Sequence, residues 1–128
     1  MLTLRAEQMV KFSEVALKQF EDRMVQFLAE HFGDQSRMLG ESRVRLLVKY
    51  GIDQAGKYGI VRERDVCQYI ALMFIFGGKF DVNPSLPAIQ AVLNDPRLTD
   101  SGQKTTALAA AAKKELRRRA KAPAPRKV

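Results

Sequence analysis

The residue types that could carry chemistry are scarce: one histidine, His31, and one cysteine, Cys67, in 128 residues. Nucleophilic catalysis by Cys or Ser needs a base beside the nucleophile. His31 closes an amphipathic stretch. Cys67 sits in the most apolar stretch, where a thiol acts as an inert small hydrophobe. No His and Cys spacing suits zinc, and no Asp-rich loop suits calcium. Gly77-Gly78 precede Lys79, but the glycine spacing of a phosphate-cradling loop is missing. Among the carboxylates, Glu63 and Asp65 lie two apart on a helix and face different ways, and they suit the positive end of its dipole. Asp81, after Phe80 in a loop, is the least easily explained, although this residue type serves turns and caps more often than catalysis. These residues read as no catalytic centre, no metal site and no cofactor site, so the expectation is a protein that is not an enzyme.

Binding chemistry is better represented, and it is unevenly placed. The chain carries 22 Lys and Arg against 14 Asp and Glu, a net charge of +8. Residues 113–128 hold eight of the basic groups against Glu115 alone, a net +7, whereas residues 1–112 hold fourteen basic and thirteen acidic groups, a net +1. Lys113, Lys114, Arg117, Arg118, Arg119 and Lys121 are therefore candidate electrostatic contacts for phosphates, an anionic surface or an acidic protein. The plain alternative is a solvated extension that aids solubility. No aromatic residue is interleaved with these cations, so base stacking is not on offer there.

The elements that position these groups all read as helices. From Leu4 to Phe32, Met9, Phe12, Ala16, Phe20, Met24, Phe27 and Leu28 recur in steps of three and four, with Thr3 as N-cap and Gly33 as stop. Such a helix, about 43 Å long at ~1.5 Å per residue, exceeds the width of a domain this size, so part of it overhangs, bends or meets a partner. A second helix covers Glu41–Tyr58, with Gly59 at its C′ position and Ile60 folding back on Ala55. Gly51 lies inside it, where glycine costs roughly 1 kcal/mol relative to alanine and permits a close helix contact or a kink. A third helix, Glu63–Phe76, is apolar nearly all round, which predicts burial on every side. Its end, Phe74, Phe76 and Phe80 with Asp81, is either the centre of the core or a contact surface for a partner protein. Ser85 caps a fourth helix from Leu86 to Asn94, and a fifth, alanine-rich helix begins near Ser101. With only Leu108 and Leu116 as large apolar residues, the fifth should pack weakly and fray.

The fold class expected is thus all-α: a single-domain bundle of about five helices with a long first helix, covering residues 1–112 and followed by a basic, poorly ordered extension over 113–128. At 128 residues the chain is long enough to bury roughly two thirds of the surface its unfolded form exposes, so it needs no disulfide or metal to fold. The run Tyr69–Gly78 is too short for the ~18–20 residues of a membrane span, so no membrane association is expected. Arg5, Glu7, Lys11 and Glu14 interrupt any apolar signal core, and with the lone cysteine this points to the cytoplasm.

Once the helices are placed, four segments form a series: Leu4-Arg5-Ala6-Glu7-Gln8-Met9, Tyr58-Gly59-Ile60, Glu63-Arg64-Asp65-Val66 and Leu72 to Asp81 (LMFIFGGKFD). In their order and spacing, over roughly residues 2–98, the chain resembles a family of small helical proteins encoded in bacterial type VI secretion effector clusters, near PAAR-type spike and toxin genes. The resemblance implies a cytoplasmic accessory role, as an adaptor, chaperone or co-chaperone whose partner is a secreted effector or a spike-associated protein. It transfers no binding residues and excludes the basic extension. Two other readings stay open: an immunity protein that blocks a toxin, and a small nucleic-acid-associated protein using its basic end.

Overall fold

The computed structural model describes residues 14–121, and the expected N-cap Thr3, the segment Leu4–Ser13 and the last seven residues lie outside them. The fold is all-α and forms one domain. Its described elements are α1 (Glu14–His31), α2 (Gly33–Leu39), α3 (Glu41–Lys57), α4 (Glu63–Phe76), a 3-10 turn (Phe80–Val82), α5 (Pro87–Leu93) and α6 (Ser101–Lys121). None of these helices is long and apolar enough to cross a membrane.

Helix α4 holds the bundle together. It packs against α1 and α3 on one side and α6 on the other, while α5 fills the space between α6 and the 3-10 turn. The inward residues follow the helical period. Phe20, Met24 and Leu28 of α1 meet Val44, Val48 and Ile52 of α3 in a common core with Tyr69, Ile70 and Met73 of α4. Two glycines shape α3. Gly51 is buried, and a Cβ placed on it would lie 2.6 Å from Ile70 Cγ1 and 2.9 Å from Met73 Sδ. The Ile70 and Met73 side chains of α4 therefore rest directly against the α3 backbone at this point. Gly59 has φ of 81°, and the Ile60 N–H donates to the Ala55 carbonyl (2.9 Å) while the Gly59 N–H donates to that of Gly56 (3.0 Å). This is the Schellman closure expected from the sequence, and it delivers Ile60 into the core.

Polar ties close the remaining joints. Arg45 on α3 reaches Asp22 of α1 (2.6 Å), Glu41 one turn back (3.2 Å) and the buried Glu21 (3.8 Å). Its hydrogen bond holds the Asp22 carboxyl below the usual carboxylate range and raises Arg45 in turn. Buried Asp65, in the first turn of α4, accepts from the Ser101 hydroxyl at 2.7 Å and so pins the starts of α4 and α6 together. Lys104 buries its stem and donates from Nζ to the Leu93 carbonyl (3.1 Å), a cation at the negative end of α5.

Several boundaries differ from expectation. Helix α2 is an added element, because Gly33 opens a new helix instead of simply closing α1; none of its residues is buried, so no apolar stripe announces it. Ser85 does not cap α5. Its N–H donates to Asn83 Oδ1 (2.8 Å), and Leu86 and Pro87 start the helix. Asp100 caps α6 by accepting the Gln103 N–H (2.9 Å). The boundary drawn at residue 113 falls inside α6, which runs unbroken to Lys121. Ala, Lys, Arg and Glu are all strong helix formers, and Glu115 accepts from Arg118 and Arg119 one turn on (2.6 and 2.9 Å), so nothing local ends the helix at 113.

Candidate functional site

The polar residues that could do chemistry are mostly committed to structure. His31 is exposed at the end of α1, with its ring centroid 4.3 Å from that of Phe27. Cys67 is half-buried, and burial pushes its thiol pKa up, away from the reactive thiolate. Glu63 pairs with Arg23 of α1 at 2.6 Å, while Asp65 faces Ser101. Asp81 is buried and accepts from the Tyr58 hydroxyl (2.8 Å) and more distantly from Gln54 (3.5 Å). Burial first, then this hydrogen bond, pushes Tyr58 up to about 12. Among the described residues no group of three His, Cys, Asp or Glu is arranged to hold a metal.

The four residues expected at a partner surface do not form one. Phe80 is 0% and Phe74 7% exposed, and both belong to the core. The Phe80 ring lies 4.9 Å from Tyr69 and the Phe74 ring 5.5 Å from Phe32, centroid to centroid. Asp81 is held inward by Tyr58. Only Phe76 stays half-buried, with the Arg119 guanidinium 5.0 Å above its ring. A buried ring offers nothing to a partner of the folded protein, and between Phe74 and Phe76 the phase of α4 decides which ring that is.

The same phase leaves a different surface open. Helix α4 is not enclosed on all sides, for Ile75 is 40% exposed and Gln68 faces outward. Helices α4 and α6 run in the same sense, joined near their starts by Asp65 and Ser101 and near their ends by Phe76 and Arg119. Between them lies a groove of about 210 Å³. Tyr69, Leu72 and Ile75 form one wall, and Leu108, Ala112 and Leu116 much of the other. Leu116 is 41% exposed, and Lys113 stands on the rim. Tyr69 is buried to 1% exposure, and its hydroxyl finds no partner among the described residues.

The groove exists because of how α6 packs. Its buried positions are Ser101, Lys104, Thr105, Leu108, Ala111 and Ala112, a helical stripe of mostly small side chains that brings the backbone close to α5 and α4. The expectation of a weakly packed helix counted only large apolar residues and missed this stripe. Leu108 is core. Leu116, two turns on, passes the end of that stripe and lines the groove together with Ile75.

No family model matches this chain, nor does any curated protein or solved structure. The site is therefore read from its own geometry.

All six basic residues expected to make electrostatic contacts lie on the last turns of α6, Lys121 being its final residue. Arg118 and Arg119 are tied to Glu115, whose carboxyl is held below its ordinary range chiefly by the Arg118 hydrogen bond. Lys113, Lys114 and Arg117 are exposed and have no ion-pair partner among the described residues. The sequence showed Leu116 and the cations but not Ile75, since a helix apolar on every side gives no signal of which face will be left uncovered.

Proposed function

We propose that this protein is a non-enzymatic adaptor that holds a segment of a partner protein in the groove between α4 and α6. The observation that carries this reading is that Ile75 and Leu116, each about two-fifths exposed, line one groove from its two helices, and that the walls of this groove are almost wholly apolar. Apolar side chains that meet in a concave strip, instead of being scattered singly, mark an interaction surface. The three carboxylates singled out as possible acids or bases, Glu63, Asp65 and Asp81, are engaged with Arg23, Ser101 and Tyr58 of neighbouring segments, which supports binding over catalysis. The resemblance to accessory proteins of type VI secretion clusters supplies the setting we propose: a cytoplasmic chaperone-like step in which an effector or spike-associated protein is held before export.

Co-expression with the effector and spike-associated proteins of such a cluster, followed by size-exclusion chromatography, tests the reading. A stable complex is expected with the unaltered protein, and it should be lost with Leu116→Asp. A complex that survives Leu116→Asp unchanged would place the contact elsewhere, and no complex with any of them would end the adaptor proposal. Deletion in the producing cell separates adaptor from immunity protein: without an adaptor the toxin is not delivered, whereas without an immunity protein the cell poisons itself.

A further inference from the structure

We infer that the occupant of the α4–α6 groove is an amphipathic helix of about three turns with acidic residues flanking its apolar stripe. This rests on the proposal that the groove binds a partner protein, and it specifies the chemistry of that partner. The length follows from α6, whose groove-lining residues run from Thr105 to Leu116, about 17 Å at ~1.5 Å per residue. A helix of roughly 11–14 residues spans that distance, and an apolar stripe at i, i+4 and i+7 lays one side chain per turn into a groove. An apolar strip that lies between two parallel helices is the surface such a stripe fits.

The sign of the flanking charge follows from the rim. At the groove's end Lys113 stands in its lining, Arg117 follows Leu116 and Arg119 lies over the Phe76 ring, whereas Lys114, Glu115 and Arg118 line a separate pocket on the α5 side of the helix. Glu115 is neutralised by Arg118 and Arg119. On the facing helix, Glu63 is paired with Arg23 and Asp65 is buried, so neither offsets the cations at the groove's far end. A ligand meeting this surface gains from carboxylates and is opposed by cations, with steering over about 8–10 Å at ordinary ionic strength.

The same charge argues against occupants supplied by the chain itself. Residues 1–13 carry Arg5 and Lys11 against Glu7, a net positive segment approaching a positive rim. Residues 122–128 carry Arg126 and Lys127 with Pro123 and Pro125, which gives the wrong sign and a poor helix. A second copy presenting the same face would set Lys113 and Arg117 against their own equivalents.

A display library of 14-residue helical peptides on an alanine scaffold, with apolar, acidic, basic and neutral residues allowed at every outward position, tests this directly. Selection against the full-length protein is expected to enrich peptides with three or four apolar residues on one face and net negative charge. A synthesised winner should lose about tenfold or more in affinity to Leu116→Asp, and severalfold to the double reversal Lys113→Glu/Arg117→Glu. Because an aspartate could disturb α6, Ala109→Leu is the second variant: it fills the groove with a larger apolar side chain, leaves helix content intact, and should still block the peptide. Enrichment of neutral or basic peptides, or no enrichment, would overturn the inference, as would binding indifferent to both Leu116→Asp and Ala109→Leu. Duplex DNA that binds through Lys113 and Arg117 and displaces the winning peptide would overturn it as well, in favour of a phosphate ligand. If the acidic peptide fails while a co-expressed partner is still lost with Leu116→Asp, the groove is a partner site and only the chemistry assigned to the partner is wrong.

Discussion

Replacing Gly51 with alanine sets two known effects against each other. Within a helix, Gly→Ala is worth roughly 1 kcal/mol in favour of folding. At this position the added Cβ would lie 2.6 Å from Ile70 Cγ1 and 2.9 Å from Met73 Sδ, where ordinary carbon contacts are about 3.5–4.0 Å. Met73 can yield, because the sulfur sits far along a flexible chain. Ile70 cannot, because Cγ1 is one bond from Cβ, a β-branched residue in a helix holds essentially one χ1 rotamer, and Ile70 is fully buried. Either Ile70 leaves its rotamer or α3 and α4 separate, and overpacking of this kind costs about 1–3 kcal/mol. A 2.6 Å approach to a side chain that cannot move puts the cost in the upper part of that range, about 2–3 kcal/mol, which outweighs the propensity gain of roughly 1, so Gly51→Ala should destabilise by about 1–2 kcal/mol and lower Tm by several degrees. Urea unfolding followed by far-UV circular dichroism measures this, with an unchanged m-value confirming the same transition. The second half of the test is a double-mutant cycle. Ile70→Ala removes the clashing atom and should make Gly51→Ala neutral or favourable, whereas Ile70→Val retains a Cγ1 and should rescue little. A Gly51→Ala protein as stable as the parent would refute the close approach of these helices.

Other consequences are equally direct. Tyr69→Phe removes a buried hydroxyl that has no partner among the described residues, so it should leave stability unchanged or raise it, against the usual trend for core substitutions; a chemical-denaturation loss above about 1 kcal/mol would show that the hydroxyl is in fact satisfied. Ser101→Ala takes the hydroxyl donor from buried Asp65 and should cost about 1–3 kcal/mol by the same measurement. Tyr58 has its pKa raised in the folded state to about 12 from 10.0, so the stability it contributes is whole below pH 10 and is lost as pH rises toward 12; absorbance titration at alkaline pH should find two late tyrosines, Tyr58 and the more deeply buried Tyr69, which burial raises further, and Tyr58→Phe should remove the earlier of the two and reduce the loss of stability across that window. Phe80→Ala and Phe74→Ala should each cost about 3–5 kcal/mol in thermal or chemical unfolding, with Phe76→Ala well below them because its ring is half-exposed.

What could be read from the sequence was whatever local chemistry decides. The limits of α4 follow from Glu63 and Asp65 at one end and Gly77 at the other, and the turn after α3 follows from Gly59, the residue able to take φ of 81° before Ile60. What could not be read was whatever neighbours decide. Helix α2 has no buried residue, so its apolar pattern carries no phase. Helix α4 has the opposite difficulty. From Tyr69 to Phe76 every residue is apolar, and a hydrophobic stripe that closes on itself assigns no direction. Phe74 and Phe76 are two positions and about 200° apart on the helix, at 3.6 residues per turn, so one joins the core while the other reaches the rim beneath Arg119. Only the placement of α3 and α6 selects between them.

The alanine run of α6 links the fold to the site. Ala107 to Ala112, with Leu108 as its one large member, gives helix propensity without bulk. Propensity keeps α6 helical past its last buried residue, Ala112, and carries Leu116 and the basic residues out along a rigid axis. The lack of bulk lets α6 lie close to α5 while leaving the space beside Ala109 and Ala112 unfilled. Leucine at either place would strengthen the contact with α4 and close the groove. A helix that reads as weak because it offers few large contacts is therefore the helix a docking groove requires: it is anchored at one end by Asp100, Ser101, Lys104 and Leu108, and from Ala109 onward it presents shallow apolar surface and then cations to whatever binds there.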